Sequence, residues 1–301
     1  MRRKRVLPLA ALVLCVPALG VTTPATASSP GDTHGPLRIL LTNDDGYNAP
    51  GIRIMFDRLT AAGHEVTIVA PLTNQSGAGT KISSASTVTV KHPEPRVWAV
   101  DGTPGDSVAF GLSEVFADRA PDLVVSGTNF GPNVAGLATH SGTVGGAIAA
   151  LEQGVPAIAV STGGLSAPVY EPTVNAMKPT SDFTVKLIDR LEDRAKSGRL
   201  LPVGVGLNVN HPVIGTDGTG TARGTALTTQ DPQQFLKADY TDNGDGTWKV
   251  NVNVVQQPAA KGGDVEAVTA QKVSITPVSP DWNTGPFTFA KTASLLSGLR
   301  P

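Results

Sequence analysis

Two adjacent aspartates, Asp44 and Asp45, stand where a short apolar run ends, and Gly46 follows them. The run over residues 37–42 has the composition of a buried parallel strand, and open α/β sheets bind ligands beyond the carboxyl ends of such strands. Neighbouring carboxylates repel each other unless a cation or a proton lies between them. Their oxygens suit a hard divalent cation such as Mg²⁺ or Mn²⁺. Because Asn-Asp-Asp-Gly also favours a plain turn, this pattern alone leaves both interpretations open.

Three further polar segments follow predicted strands and carry groups that suit a metal or a phosphate. They cover residues 71–81, 126–133 and 140–143. Loops that follow parallel strands emerge at one edge of the sheet, so we expect these segments to meet the aspartates there. Asp44 and Asp45 would supply negative charge for a cation, and Ser76 and Asn129 would add neutral oxygens. A water made acidic by that cation would attack phosphorus.

The segment Ser141-Gly142-Thr143 immediately precedes a predicted helix. Backbone N–H groups at a helix N-terminus, with the helix dipole behind them, form a binding site for phosphate. Each segment also has an ordinary interpretation, because Ser141 could be a simple helix cap and Gly131-Pro132-Asn133 a simple turn. The functional interpretation depends on all four segments occurring at strand ends of one sheet.

Alternating strand and helix patterns from residue 37 onward predict a doubly wound, mainly parallel α/β sheet. Strands are predicted over residues 37–42, 64–70, 86–90, 96–100, 122–126 and 156–161. Helices are predicted over residues 50–62, 103–117 and 143–153. Pro50 suits a first helical turn, and Thr103-Pro104-Gly105-Asp106 places a hydroxyl, a proline and an acid in the order typical of a helix start.

The pattern is looser towards the C-terminus. A helix is predicted over residues 181–195, and strands over 203–209 and 272–278. Residues 240–255 predict a β-hairpin, with the turn at residues 242–246. A calcium-binding loop is the alternative for that turn, but the terminal glutamate of such loops is missing.

The N-terminus predicts an exported protein. A basic stretch at residues 2–5, an apolar stretch at residues 6–21 and the small residues of Ala25-Thr26-Ala27 form the pattern of a signal peptide over residues 1–27. Residues 28–36 predict a flexible linker, and residues 37–301 a single α/β domain. The alternative is a membrane anchor, for which the apolar run is short. We therefore expect a secreted or periplasmic protein without a stable membrane anchor.

Composition excludes some classes of function. The only cysteine, Cys15, lies within the predicted leader, so the mature chain has no disulfide and no thiol chemistry. Four of the 24 Lys and Arg residues also lie there, which leaves 20 against 25 acidic residues and a net charge of about −5. An acidic domain is a poor candidate for binding duplex nucleic acid, because such binding requires clustered positive charge on the protein.

Taken in order along the chain, the motifs resemble the SurE family of survival-protein nucleotidases. They are Ile39–Gly46 with Ala49–Ile52, Ala70-Pro71 with Asn74–Gly77, Gly102–Asp106, Val125–Asn133, Ser141–Val144, Leu207–Asn210 and Val273–Pro277. The resemblance covers residues 37–278, and the ordered motifs are highly specific.

This resemblance implies a Rossmann-like, three-layer core and a C-terminal β-hairpin and extension that make contacts in a homodimer or homotetramer. It implies hydrolysis of nucleoside 5′- and 3′-monophosphates by water, with one Mg²⁺ or Mn²⁺ per subunit. The metal ligands it implies are Asp44, Asp45, Ser76 and Asn129, with both aspartates catalytic. The phosphate-side residues it implies are Asn133, Ser141, Gly142 and Thr143.

The chain departs from the family pattern between Asn133 and Ser141, where an acidic residue is often found and His140 occupies a common aromatic position. His140 is interpreted either as a structural histidine or as a phosphate contact.

Other functions are also considered. One is a broad acid phosphatase-like activity on other phosphoesters. A second is a sugar-nucleotide transferase, although the chain shows no second nucleotide half. A third is a non-catalytic nucleotide- or phosphate-binding module, for which the first strand lacks the Gly-x-Gly-x-x-Gly pattern.

Overall fold

A nine-stranded sheet forms the centre of the protein. The computed structural model describes residues 35–166, 168–195, 198–234, 236–255 and 257–298. The strands are β1 (Arg38–Thr42), β2 (Glu65–Pro71), β3 (Val90–Glu94), β4 (Val97–Val100), β5 (Leu123–Phe130), β6 (Ala157–Thr162), β7 (Gly206–His211), β8 (Thr225–Leu227), β9 (Leu236–Asp242), β10 (Trp248–Val254) and β11 (Val273–Val278). Their order in the sheet is β3-β4-β2-β1-β5-β6-β7-β11-β8, and β9 and β10 form a separate hairpin.

The six central strands, from β4 to β7, run parallel, whereas β3 and β11 run antiparallel to their neighbours β4 and β7. The helices are α1 (Pro50–Ala61), α2 (Pro104–Phe110), α3 (Leu137–His140), α4 (Gly142–Glu152), α5 (Tyr170–Ala195), α6 (Asp264–Thr269) and α7 (Pro286–Leu295). A π-helical segment, Gly111–Val115, continues α2. The predicted α/β class with a mainly parallel sheet is therefore confirmed.

Helices cover both faces of the sheet and give the three layers that the sequence predicts. Successive residues of a strand point to opposite faces, so Ile39 and Leu41 pack with α1 and α5 while Leu40 packs on the other face with α2 and α4. All three residues are fully buried. Burial on both faces explains why β1 is an unbroken apolar run.

The strand order reverses direction between β1 and β5. From β1 the chain proceeds to β2 on one side, whereas β5 and β6 extend the sheet on the other side. Such a switch point leaves a crevice beyond the carboxyl ends of the two strands, and α/β proteins bind ligands there. Asp44 and Asp45 follow β1, and Asn129 lies at the end of β5.

Two predicted elements are wrong in extent. The strand predicted over residues 86–90 begins only at Val90 and continues through His92 and Pro93 to Glu94. Proline and charge resemble a turn in the sequence, but an edge strand tolerates both because one side of its backbone is unpaired. The helix predicted over residues 181–195 begins at Tyr170.

Helix α5 is longer than predicted, and it continues through Pro179, which lies just before the predicted start at residue 181. A proline removes a backbone donor and usually ends a helix. Here the hydroxyls of Thr180 and Ser181 donate to the carbonyls of Ala176 and Met177, at 2.7 and 2.8 Å. All four of these residues, two before the proline and two after it, are buried. Tertiary packing therefore outweighs the tendency of a proline to end the helix.

The C-terminal hairpin is confirmed. β9 and β10 pair antiparallel from Leu236 opposite Val254 to Trp248 opposite Asp242. Within the turn, the carboxylates of Asp242 and Asp245 accept backbone N–H bonds from Gly244 and Thr247. The short elements β8, α3 and α6, as well as α7, were not predicted.

The predicted signal peptide, and all of the predicted linker except residues 35 and 36, lie outside the described residues. Among the residues that are described, we find no helix that is both long and apolar enough to cross a membrane.

Candidate active site

The chain turns sharply after β1 and presents two carboxylates at the switch point. The side-chain nitrogen of Asn43 donates to the carbonyl of Gly46 at 2.9 Å and closes the turn. Gly46 has φ +105°, which a side chain would disfavour. The backbone N–H of Gln75 donates to the carbonyl of Asp44 at 2.7 Å and connects the turn to the loop after β2. Residues 43–46 therefore form a turn, and the same turn carries the two aspartates of the predicted acidic site.

Each aspartate side chain is held by a different element. The hydroxyl of Thr143 in α4 donates to Asp44 at 2.7 Å, and the backbone N–H of Phe130 in β5 donates to Asp45 at 3.1 Å. Burial raises the pKa of Asp44, although the bond from Thr143 opposes that shift. Burial and the nearby charge of Asp44 raise the pKa of Asp45 to about 6. Both shifts express the cost of two confined negative charges, which a cation would relieve.

Two neutral oxygen donors lie beside this pair. The side-chain nitrogen of Asn129 donates to the carbonyl of Gly131 at 2.9 Å, which leaves the side-chain oxygen of Asn129 to face a ligand. The backbone N–H of Ser76 donates to the side chain of Asn74 at 2.8 Å and orients the loop that carries Ser76. Asp44, Ser76 and Asn129 line one cavity.

Helix α4 begins against Asp44. Ser141 caps the helix, since its hydroxyl accepts the N–H of Val144 at 3.1 Å. A side chain at Gly142 would lie 2.7 Å from Cβ of Asp44. Glycine is therefore required for the N-terminus to approach the carboxylate, and the predicted helix start is confirmed. The backbone N–H groups of Gly142 and Thr143 face the Asp44 carboxylate and lower its pKa, and the positive potential of the helix N-terminus favours a phosphate beside it.

Asn133 is fixed by side chains from two neighbouring strands. Its backbone N–H donates to Asn210 at 2.6 Å, and its carbonyl accepts from Asn208 and Asn210 at 2.8 and 3.1 Å. Its side-chain nitrogen donates to Ser161 at 2.8 Å. Asn133 thus lines the cavity while its side-chain nitrogen is bonded to Ser161. The motif at 207–210 has a structural role, because Asn208 and Asn210 hold Asn133 in place.

A buried carboxylate holds the next turn of the same loop. Asp264 at the start of α6 is fully buried and accepts the backbone N–H groups of Ala135 and Asp231, both at 3.0 Å. Ala135 has φ +48°, and Gln230 donates to its carbonyl at 2.8 Å. Residues far along the chain therefore fix the loop that connects β5 to α4.

The cavity has a volume of about 510 Å³. It is lined by Asp44, Ser76, Gly77, Asn129, Phe130, Asn133, Gly136, Leu137, His140, Ser141, Gln234 and Leu236. His140 is exposed and borders the cavity, where a phosphate contact needs it, rather than lying in the core. Sequence reasoning gave no role to Phe130, although it lies within the motif Val125–Asn133. It missed Leu137, Gln234 and Leu236 because they lie far apart in the chain and outside any motif.

The donor set fits one divalent cation. Two carboxylates, an amide oxygen and a hydroxyl are hard ligands, and a site with few protein ligands leaves positions for water and phosphate. The raised pKa values of both acids point the same way. Asp44, Asp45, Ser76 and Asn129 are the residues that would hold the cation.

A second group of metal-capable side chains lies at the opposite edge of the sheet. His64, Asp189 and Glu192 have potential ligand atoms within 4.8 Å of one another. Nδ1 of His64 accepts the backbone N–H of Leu37 at 3.4 Å, and Asp189 is exposed. A cavity of about 570 Å³ nearby is lined by Glu192 and Asp122, at the edge where α/β sheets do not usually bind ligands.

Comparison with known families agrees with the motifs. The family model described as Survival protein SurE matches residues 39–237. The chain belongs to the SurE family. The 5′-nucleotidase SurE of Rhodopseudomonas palustris (strain HaA2) is 36% identical over 269 residues, which cover 85% of this chain and 99% of that protein. The 5′-nucleotidase SurE of Thermosynechococcus vestitus (strain NIES-2133 / IAM M-273 / BP-1) is 33% identical over 262 residues, covering 83% and 93% of the two chains.

A solved SurE structure has the same fold. The crystal structure of the SurE protein from Aquifex aeolicus matches with a TM-score of 0.71 and 28% identity, covering 86% of this chain and 99% of that chain. The Rossmann-like core and the C-terminal extension that the sequence predicts are therefore shared with a SurE protein.

Proposed function

We propose that this protein is a divalent-metal-dependent phosphomonoesterase that hydrolyses nucleoside 5′-monophosphates, and also 3′-monophosphates, to nucleoside and phosphate. The observation that carries the proposal is the meeting of four separate polar segments in one cavity at the switch point of the sheet. Membership of the SurE family, whose relatives are named 5′-nucleotidases, supports the same chemistry.

The residues of the site have distinct tasks in this reaction. When bound, Mg²⁺ or Mn²⁺ supplies positive charge to the phosphate and makes a water acidic enough to attack phosphorus near neutral pH. Asp44 and Asp45 hold the cation, with Ser76 and Asn129 as neutral ligands. Thr143 keeps the Asp44 carboxylate in one orientation through its 2.7 Å hydrogen bond.

The helix N-terminus acts on the phosphate through its positive potential. The N–H groups of Gly142 and Thr143 precede the first bonds of α4 and carry the positive end of the helix dipole. They face the Asp44 carboxylate, and the dipole behind them favours a phosphate in the adjoining cavity. Ser141 fixes the start of the helix, and Asn133 forms the cavity wall.

The test is phosphate release by the purified protein from a panel of nucleoside 5′- and 3′-monophosphates, after chelation and again with Mg²⁺ or Mn²⁺ restored. We expect release that disappears on chelation and returns with either metal. Release that is independent of metal would contradict the proposed metal dependence. Hydrolysis of simple phosphoesters without preference for nucleotides would replace the nucleotidase with a broad phosphatase.

We also propose that the hairpin makes contacts in a homodimer or homotetramer. Tyr240, Trp248, Val250 and Val252 are between 54% and 63% exposed. Val250 lies opposite Tyr240 in the register, and Trp248 and Val252 share its face because they are two residues away. An exposed apolar face of this kind is typical of an interface between subunits.

Finally, we propose that the protein is exported and acts on nucleotides outside the cytoplasm. The support is the order of basic, apolar and small residues over 1–27. The test is the N-terminal sequence of the native protein in the periplasm or the medium, which we expect to begin near Ser28. Native protein found in the cytosol with its leader intact would contradict export.

A further inference from the structure

Polar and apolar side chains both line the cavity at the switch point, and we call these two sets of residues its polar half and its apolar half. Asp44, Ser76 and Asn129 form the polar half, where a phosphate would bind. Phe130, together with Leu137 and Leu236, forms the apolar half. Both halves face one volume of about 510 Å³, which is in the range of small-molecule sites. A substrate that fills this cavity therefore meets both kinds of side chain.

Phe130 is the residue of the apolar half that follows Asn129 directly in the chain. Its backbone N–H donates to Asp45 at 3.1 Å, so its main chain is tied to the acidic pair. Its neighbour Asn129 turns its own side chain towards Gly131 and the polar half. The main chain at Phe130 is therefore held next to the acidic pair, and its side chain extends from that point.

The ring of Phe130 contacts a second aromatic ring from a distant part of the chain. The centroids of Phe130 and Tyr170 are 5.8 Å apart, and the ring planes are inclined by 32°. This separation is within the range of favourable aromatic pairs. Tyr170 is the first residue of α5 and is 60% exposed. The pair therefore extends an aromatic surface from the cavity to the solvent.

Packing of the protein core does not explain this pair. Neither Phe130 nor Tyr170 belongs to any of the apolar core clusters formed by the described residues. In contrast, Leu137 and Leu236 pack against the cluster around Val134 and Val265. Aromatic residues are only 5% of the chain, and this pair borders the site without filling the core.

We propose that the ring of Phe130 stacks against the nucleobase of the substrate, and that Tyr170 holds that ring in position. This inference rests on the proposed nucleotidase function and specifies which part of the substrate the apolar half binds. Phe130 is the binding residue, and Tyr170 is a positioning residue because it acts through Phe130. No bond is made or broken by either residue, so both act on affinity.

Stacking predicts an order among substrates. Every nucleobase has a π-face, and stacking on an aromatic side chain contributes to affinity without requiring a particular sequence of donors and acceptors. A purine presents a larger face than a pyrimidine, so adenosine 5′-monophosphate should gain more than uridine 5′-monophosphate. Ribose 5-phosphate has no base and reaches only the polar half.

The experiment measures kcat and KM with saturating Mn²⁺ for these three substrates. It compares the wild-type chain with Phe130→Leu, Tyr170→Ala and Tyr170→Phe. We expect Phe130→Leu to reduce the preference in kcat/KM for adenosine 5′-monophosphate over ribose 5-phosphate by roughly tenfold, through KM. Tyr170→Ala should reduce this preference less than Phe130→Leu does. Tyr170→Phe should keep the wild-type preference because the ring is retained.

Val169→Ala is the matched control. Val169 precedes Tyr170, is 66% exposed and has no ring, so its truncation should leave the preference unchanged. If Phe130→Leu does not fold, the two variants of the exposed Tyr170 still decide the question, because they differ only in keeping or losing a ring.

The outcomes separate this inference from the function on which it rests. Variants that keep the wild-type preference would overturn the stacking while leaving the nucleotidase intact. The same holds for variants in which kcat falls and KM stays unchanged. A wild-type protein that releases phosphate from none of the three substrates with either metal would overturn the proposed function and this inference together.

Discussion

The switch-point edge of the sheet and the C-terminal hairpin are opposite kinds of surface. At the edge, polar groups are buried: Asp44 is 3% exposed and Thr143 is fully buried. On the hairpin, apolar groups are exposed, with Trp248 at 57% and Tyr240 at 63%. Each surface costs free energy in the isolated chain, because buried carboxylates and exposed apolar side chains are both unfavourable. The proposed cation would relieve the first cost, and the proposed contact between subunits would relieve the second.

The largest effect should come from Asp44→Asn, which removes one of the two charges at the edge. We expect kcat/KM for nucleotide hydrolysis to fall at least about 100-fold, because the cation loses a charged ligand. The measurement is phosphate release at saturating Mn²⁺. Asp57→Asn is the control, since Asp57 is an exposed carboxylate on α1. Turnover near that of the wild type at high Mn²⁺ would contradict the role of Asp44.

Gly145→Ala tests how closely the elements at the edge pack. An alanine Cβ would lie 1.9 Å from the backbone oxygen of Gly79, so backbone must move. We expect a loss of about 3 kcal/mol in the free energy of unfolding, measured by denaturant titration. Gly164→Ala is the control, because nothing lies within 4 Å of its Cβ position. Equal stability of the two variants would mean that the edge adapts more easily than its geometry suggests.

Asp264→Asn tests whether distant residues hold the loop after β5. One oxygen of Asp264 accepts the N–H of Ala135 and the other accepts that of Asp231, so an amide would set a donor against a donor. We expect a loss of about 2 kcal/mol in unfolding free energy, together with a higher KM. Glu266→Gln, at an exposed position in the same helix, should change neither.

Protonation of a buried histidine gives a smaller, pH-dependent effect. Burial lowers the pKa of His211 below its ordinary value of 6.5. The unfolded chain therefore binds a proton more readily, and the stability due to the neutral ring is lost as the pH falls from 6.5 through the native pKa. Nδ1 of His211 donates to the carbonyl of Pro212 at 2.9 Å, and the amide nitrogen of an asparagine can donate in its place. The advantage of the wild type over His211→Asn should thus shrink between pH 7.5 and pH 5 in thermal unfolding; an advantage independent of pH would contradict this account.

The smallest effect on catalysis should come from the hairpin. Trp248→Ser removes an exposed ring without opening the core, so we expect turnover per chain to stay within about twofold. Sedimentation velocity should instead show a smaller assembly. Lys249→Ala, on the opposite face of β10, should leave the assembly unchanged. An assembly of unchanged size in Trp248→Ser would contradict the proposal that the hairpin lies in the interface.

The edge was largely predictable from the sequence because its chemistry is local. Asp44 and Asp45 follow an apolar run directly, and the start of α4 has a recognisable cap at Ser141. The parallel sheet then brings such segments together without any knowledge of contacts. Five of the eight predicted site residues line the cavity: Asp44, Ser76, Asn129, Asn133 and Ser141. The other three adjoin it, since Asp45 bonds to Phe130, Thr143 bonds to Asp44 and Gly142 lies against Asp44.

The rest of the site depends on contacts that no local pattern records. Phe130 meets Tyr170 across forty positions, and Asp264 reaches Ala135 across an even larger separation. The same holds for the fold: Pro179 lies within a helix because packing on both sides outweighs its local cost. Sequence periodicity reports local preference, and these features result from tertiary packing.

The hydrogen bond from Phe130 to Asp45 divides one residue between two tasks. Every residue type except proline has the backbone N–H that holds the carboxylate, whereas only the side chain faces the cavity. Position 130 can therefore change its side chain during evolution while its backbone N–H continues to hold Asp45. Under the proposed stacking, substrate preference would change in single mutational steps without disturbing the acidic pair.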